Sequence, residues 1–294
     1  MNWKEEARNV KKILCSVLLA AAMLLCMGCG EPAAENARVT FFKAGKADAA
    51  LVQAGEEVML IDAGLAKKAD KLTEALKALG VEKIDILVLT HFDRDHIGGA
   101  AEIIAGFDIG AVYQSNCPKD SEEYAAYLAA LADARIEPVT VTGTKELKLS
   151  GLSVGINGPA QAEYKKDPGN NSSLIVTLTC GKNTVLFAGD AQDARLSEYL
   201  QGYTRPAGAL ILKVPYHGHW QSMLPAFAQA TCPEAAILSC SKNEPEEDEI
   251  AMTRSLFEEL GAAVYRTCDG DITLTMDADS CEVTQDSYQS STKT

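Results

Sequence analysis

ILVLTHFDRDHIGG, residues 86–99, is the stretch from which the fold is read. Ile86 to Thr90 are apolar or β-branched, the composition of a buried strand, and the run stops at His91. His91, Asp93, Asp95 and His96 then place four metal-capable side chains within six positions, and Gly98-Gly99 closes the turn before a helix-like segment. A buried strand ending in imidazoles and carboxylates is where an α/β protein builds a site, at the carboxyl edge of its sheet. The chain has four histidines, and the other two, His217 and His219, also follow an apolar run, in AGALILKVPYHGH. All of its imidazole therefore lies in two strand-end loops.

Upstream, RVTFF, GKADAALVQ and EEVMLIDAG read as three short strands with turn residues between them, an antiparallel opening. Leu72, Leu76 and Leu79 form a helical face that stops at Gly80. Helix-like segments recur at 99–106, 121–134, 192–201, 221–230 and 247–261. Strand-like runs recur at 111–114, 145–149, 152–156, 173–180, 183–188, 209–214, 235–240, 263–266 and 272–276. Residues 157–171 are rich in Gly, Pro and Asn without periodicity and read as a loop over the site. No repeat or internal linker divides residues 38–284, so one layered α/β domain is expected there, with a frayed tail at 285–294.

The N-terminus reads differently. Lys4, Arg8, Lys11 and Lys12 precede an apolar run from Ile13 to Met27, too short to span a membrane comfortably. This is the layout of a secretory signal over residues 1–28. Gly28-Cys29 resembles a bacterial lipobox, with Cys26 where a leucine is usual, which would make Cys29 the lipidated first residue and 29–37 a tether. The alternative is an uncleaved signal anchor; either way the rest of the protein is expected on the extracytoplasmic face of the cell membrane. Beyond Cys29, six cysteines remain without C-x-x-C spacing, which argues against a structural zinc site and leaves their pairing open.

With 27 basic and 41 acidic residues the net charge is −14; residues 1–28 hold four basic and two acidic residues, leaving −16 on the remainder. No basic run accompanies it, so tight non-specific binding to DNA is not expected. A mixed His and carboxylate set suits zinc, iron or manganese. Two such ions about 3.5–4 Å apart clamp an attacking oxygen and a phosphoryl or acyl oxygen. TVLFAGD supplies a further carboxylate, Asp190, at a strand end, and VPYHGH supplies His217, with His219 either a ligand or structural.

HFDRDHIGG resembles the HxHxDH signature of the metallo-β-lactamase fold, with Asp93 at the middle histidine. The HxDxDH form is similar to the metallo-β-lactamase-like domain of ComEC-type competence proteins. GKADAALVQ, EVMLIDAG, NNSSLIVTL, VLFAGDA and LKVPYHGHWQS resemble further segments of that family in the same order. The resemblance implies a four-layer αβ/βα sandwich. It implies that His91, Asp93 and Asp190 hold one divalent ion, and Asp95, His96, Asp190 and His217 another, zinc or manganese. Asp62 would brace the ligand loop. Asp48 would shape the site or only its turn. Asn171 and Ser172 stand where relatives place a third histidine. Tyr216 would donate to a developing oxyanion or pack, and Lys213 would face an anionic substrate or lie along the surface.

The reading is a membrane-anchored metal-dependent hydrolase of phosphodiester or related ester bonds, in a small anionic ester or in nucleic acid, with a metal-held hydroxide as nucleophile and Asp95, Tyr216 and Lys213 as the catalytic candidates. Asp93 and the missing third histidine make a β-lactam a poorer expectation. The rival is a non-catalytic metal- or ligand-binding lipoprotein that retains the fold.

Overall fold

Residues 36–242 and 247–286 are described by the computed structural model. The signal segment 1–28, Cys29 and most of the tether and tail lie outside the described residues. Among the described residues, no helix is long and apolar enough to cross a membrane.

Strands β1 (Ala37–Phe41), β2 (Ala50–Ala54) and β3 (Glu57–Ile61) pair antiparallel, as their short turns require. Helix α1 (Ala69–Ala78) then carries the chain to β4 (Lys83–Leu89), which pairs parallel with β3. The HFDRDH loop, with a helical turn at Arg94–Ile97, leads into α2 (Ala100–Gly106) and β5 (Asp108–Gln114), parallel to β4. Gly98 and Gly99 are required by crowding: a Cβ on either would lie 2.4 Å from backbone atoms of neighbouring segments. Helix α3 (Glu122–Ala134) starts at Ser121, whose side chain accepts from Tyr124 N–H, and returns to the two-residue strand β6 (Val139–Thr140).

The second half mirrors this plan. β7 (Thr144–Leu149), β8 (Leu152–Asn157), β9 (Ile175–Cys180) and β10 (Asn183–Phe187) form an antiparallel meander. Helix α4 (Asp193–Gly202) leads to β11 (Leu210–Lys213), α5 (Leu224–Thr231) to β12 (Ala235–Leu238), and α6 (Glu247–Glu259) to β13 (Ala263–Arg266). β10, β11, β12 and β13 run parallel. The chain then crosses back, and β14 (Ile272–Met276) and β15 (Cys281–Gln285) join the first sheet beside β1.

The result is two sheets, ordered β15-β14-β1-β2-β3-β4-β5-β6 and β13-β12-β11-β10-β9-β8-β7. Strand alternation sends one set of side chains, including Val39, Val52, Val88, Val154, Val176 and Val185, between the sheets. The opposite set of the first sheet, with Leu60, Leu87 and Leu89, packs against α1, α2 and α3 through Leu72, Ile103 and Tyr127. The opposite set of the second sheet packs against α4, α5 and α6 through Leu196, Phe227 and Phe257. This is the expected four-layer αβ/βα sandwich. β6, β15, and the helical turns at Arg94–Ile97 and Pro168–Asn171 were not expected from periodicity, being too short or too exposed to show one.

Candidate metal centre

Parallel strands end at the same edge of a sheet, and that edge collects the site. Asp62 follows β3, His91 to His96 follow β4, Asp190 follows β10, His217 follows β11 and Ser239 follows β12. Asp48 precedes β2, which runs antiparallel to β3, so it arrives at the same edge. Asp62, Tyr216 and His217 adopt left-handed backbone conformations, with φ of 58°, 51° and 54°. Such conformations in non-glycine residues cost of order 1–3 kcal/mol each and persist where surrounding contacts over-determine them. Here Tyr216 N–H donates to Gly189 O (3.1 Å) and Asp62 N–H to Val88 O (2.8 Å).

His96 Nε2 lies 3.3 Å from His217 Nε2 and 3.2 Å from Asp190 Oδ1. His217 Nε2 lies 3.2 Å from Asp190 Oδ2 and 3.3 Å from Asp95 Oδ2. Donors about 2.0–2.1 Å from one tetrahedral ion are separated by roughly 3.3–3.4 Å, so this spacing matches a shared ion. The far nitrogens are already engaged. His96 Nδ1 bonds Asp62 Oδ2 at 2.8 Å, and His217 Nδ1 is 3.1 Å from Ser239 Oγ. Thr90 holds Asp62 in turn, donating from N–H to Oδ1 (2.8 Å) and from Oγ1 to Oδ2 (2.7 Å). Both rings are thus oriented with Nε2 toward the carboxylates. Asp190 Oδ1 and His91 Nε2 are buried without a hydrogen-bond partner, and His91 Nε2 is 3.9 Å from Asp190 Oδ2. Orphaned acceptors aimed at a carboxylate–imidazole cluster fit a divalent metal ion.

The donor atoms of Asp48, His96, Asp190 and His217 all lie within 4.8 Å of one another. Asp48 approaches from behind, however, 3.5 Å from His217 Nδ1 and 3.9 Å from His96 Nδ1. Its carboxylate is paired with Lys213 and accepts from Ser239 Oγ. It therefore braces the rings instead of sharing their open face.

The charges follow. Burial alone would discharge both histidines, but Asp190 with Asp62 and Asp48 raises His96 well above its ordinary value, and Asp190 with Asp48 raises His217 to about 10. Burial likewise opposes charge on the carboxylates; His217 and His96 overcome it and hold Asp190 well below its ordinary range and Asp95 at about 2. His91 differs: burial, reinforced by the neighbouring His96, lowers it to about 4.

The remaining candidates separate by surroundings. Asp93 points to the edge of the cleft, where its Oδ1 accepts from Lys119. Tyr216 lines the same cleft, with its ring centre 5.0 Å from that of His219. His219 turns away from the cluster toward Glu249, 3.4 Å from Nδ1. Lys213 does not stand at the cleft as a substrate-facing residue would: it is buried, paired with Asp48, donating to Gly189 O at 3.2 Å. Asn171 is spent on the backbone, donating to Lys166 O and accepting from Arg195 N–H at the start of α4. Ser172 Oγ is buried without a partner, while its carbonyl accepts from Ser115. Asn170, one position earlier, is the asparagine that faces the cleft.

Sequence reasoning missed Ser239, Ser173, Lys119, Lys46 and Arg94. Ser173 Oγ accepts from Asp190 N–H at 3.1 Å and so fixes the bridging loop. Lys46, Arg94 and Lys119, together with Asp93 and Glu123, rim a cleft whose floor holds Asp95, Asp190 and His217. Lone serines and lysines far apart in sequence carry no local signal; only the fold brings them together.

Fold and donor set together define a metal-dependent hydrolase. Residues 43–242 match the family model of the metallo-β-lactamase superfamily, and the chain belongs to that family. Among characterised sequences it is similar to ComE operon protein 3 of Bacillus subtilis, 30% identical over 176 residues, 57% of this chain and 21% of that protein. It is also similar to competence protein ComA of Neisseria gonorrhoeae, 27% identical over 212 residues, 71% of this chain and 28% of that protein. The chain thus spans less than a third of the length of these relatives. Among solved structures, the metallo-β-lactamase fold protein YhfI of Bacillus subtilis shares the fold, with a TM-score of 0.52 and 13% identity over 78% of this chain and 95% of that one. CmlA, a diiron β-hydroxylase from Streptomyces venezuelae, also shares it, with a TM-score of 0.52 and 13% identity over 86% of this chain and 54% of that one.

Proposed function

We propose that the protein is a membrane-anchored, extracytoplasmic phosphodiesterase that uses zinc or manganese and acts on an anionic ester, with nucleic-acid strands the favoured substrate class. The observation that carries this reading is the placement of the His96–His217–Asp190–Asp95 cluster on the floor of a cleft rimmed by Lys46, Arg94 and Lys119. A neighbouring groove shares Lys46 and Arg94 and adds Lys67 and Lys68, a cationic extension on an otherwise acidic chain. Crowding there is tangible: burial and the nearby charges of Lys67 and Lys71 lower the Lys68 ammonium from its ordinary value. The likeness to competence proteins supports the choice of nucleic acid. The net negative charge argues against tight non-specific duplex binding.

A divalent ion in this cluster supplies Lewis-acid polarisation and lowers the pKa of water. The chain's own residues do the rest. Lys46, Arg94 and Lys119 seat the phosphate. Asp95, held ionised, accepts a hydrogen bond from the attacking water and orients it. The Tyr216 phenol, kept protonated by burial and by Asp190, donates a hydrogen bond to a phosphoryl oxygen. His91 and Asp93 stand where a second ion would complete the site. The N-terminal segment, read as a lipoprotein signal over residues 1–28 with Cys29 lipidated, supplies the anchor.

The test is metal content and hydrolysis of bis(p-nitrophenyl) phosphate by the full chain, beside Asp95→Ala and His217→Ala. Bound metal with zinc- or manganese-dependent turnover that both variants lose is the expected result. Metal-independent turnover overturns the reading, and a folded protein with neither bound metal nor turnover overturns it in favour of a binding module.

A further inference from the structure

Two thiols meet directly behind the metal cluster. β12 and β13 pair in parallel with Leu238 opposite Arg266. Two residues past that pair, Cys240 lies in the loop after β12 and Cys268 in the 3-10 turn Thr267–Asp269 that follows β13. Both cysteines are buried in the core that Leu238 joins beneath α5 and α6. The two sulfur atoms are 3.3 Å apart, and Cys240 N–H donates to Thr267 Oγ1 at 3.2 Å, which holds the two turns together. Other cysteines lack this arrangement: Cys180 lies opposite Asn183 in its ladder and Cys281 opposite Met276.

We infer that Cys240 and Cys268 form a disulfide that ties the loop after β12 to the turn after β13. The bond has a local consequence. Cys240 directly follows Ser239, whose hydroxyl bonds Asp48 and lies against His217 Nδ1, so the cross-link fixes the backbone from which a metal-ligand histidine is oriented. The inference stands on the adjacency of the two buried sulfur atoms and does not depend on the substrate or the metal. In the exchange, the two thiols transfer two electrons to the sulfur–sulfur bond of an oxidised thiol such as glutathione disulfide. A sulfur–sulfur bond forms between Cys240 and Cys268, the donor disulfide breaks, and the two protons leave on the two glutathione thiols released.

The test is disulfide mapping of the full chain. Reduced protein is exposed to mixed reduced and oxidised glutathione, both folded and during refolding from urea, so that burial of the thiols does not limit access. Free thiols are then alkylated, and the digest is read by mass spectrometry. A linked peptide pair carrying Cys240 and Cys268, with Cys117 and Cys232 alkylated, is the expected result. Reduction should then lower the unfolding midpoint by roughly 5–10 °C, a sensitivity absent from Cys240→Ala/Cys268→Ala. Alkylation of both Cys240 and Cys268 after both treatments, or linkage of either to a different cysteine, overturns the inference. Because mapping uses the natural sequence, the inference remains testable even if the double variant folds poorly.

Discussion

The two histidines of the HFDRDH loop stand five positions apart and have opposite surroundings. His96 is clamped: Asp62 fixes Nδ1, Thr90 fixes Asp62, and Nε2 faces Asp190 and His217. His91 is buried too, but its Nε2 has no hydrogen-bond partner, and the carboxylate expected beside it, Asp93, is held by Lys119. Charge follows geometry, with His96 raised and His91 lowered to about 4. One half of the site is thus preorganised for an ion and the other is not. Preorganisation decides affinity, because a ligand already held in place loses little freedom on binding. The comparison therefore predicts one firmly held ion and one weakly held ion.

The largest effect expected to test this is on turnover. His217→Ala should lower phosphodiester hydrolysis at least about 10³-fold, since it removes a donor from the firm half. His91→Ala should cost less, about tenfold. Equal losses in the two variants would break the distinction between the halves.

One step smaller is Asp62→Ala, which leaves every ligand in place but frees the His96 ring. Affinity for the first ion should fall about 10–100-fold. Titration calorimetry with zinc or manganese reads this directly, and an unchanged affinity would show that the Asp62–Thr90 clamp is not what orients His96.

This division explains what was legible in the sequence. The strand-end candidate ligands His91, Asp95, His96, Asp190 and His217 follow apolar runs, so strand and candidate announce one another. The clamps do not. Ser239 sits in SCSK, Ser173 in NNSSL and Lys119 in CPKD, none with periodicity or spacing that marks a function. Their roles arise from contacts more than 15 residues apart in sequence, such as Asp190 with Ser173. Lys213 was misjudged for a related reason. A lysine in an apolar strand reads as reaching for solvent, whereas here the buried Asp48 receives it. The buried Arg195, which bonds Ser173 O, Asn157 and Glu198, was equally invisible, since an arginine on a helix ordinarily signals a wet face.

Proton linkage sharpens the comparison further. In the metal-free protein His217 is raised from 6.5 to about 10, so its stabilising contribution is fully present below pH 6.5 and is lost as pH rises toward 10. Asp95 is depressed from 3.8 to about 2, so its contribution is present above pH 3.8 and is lost as pH falls toward 2. His91, lowered by burial from 6.5 to about 4, costs stability as pH falls through that range, so metal-free protein should be most stable near pH 6.5. Metal uptake requires the proton on Nε2 to leave, so affinity for the ion should rise with pH over the range in which metal-free stability falls. Denaturant melts with and without metal, at several pH values, check both slopes. Parallel slopes would show that the histidines do not carry the linkage.

The smallest expected effect concerns the weak half. The Lys119–Asp93 pair is partly exposed, with 43% and 30% of the two side chains accessible, so it contributes at most about 1 kcal/mol. Lys119→Ala should release Asp93 and tighten a second ion by about fivefold, leaving the first ion unchanged. Because a pair that exposed is screened by salt, the gain should shrink as ionic strength rises. Removing Lys119 also takes one cation from the cleft rim, so the Michaelis constant for an anionic ester should rise even as the second ion binds better. Metal stoichiometry and steady-state kinetics on the one variant therefore move in opposite senses. If both improved or both worsened, Lys119 would not be dividing its charge between Asp93 and the substrate.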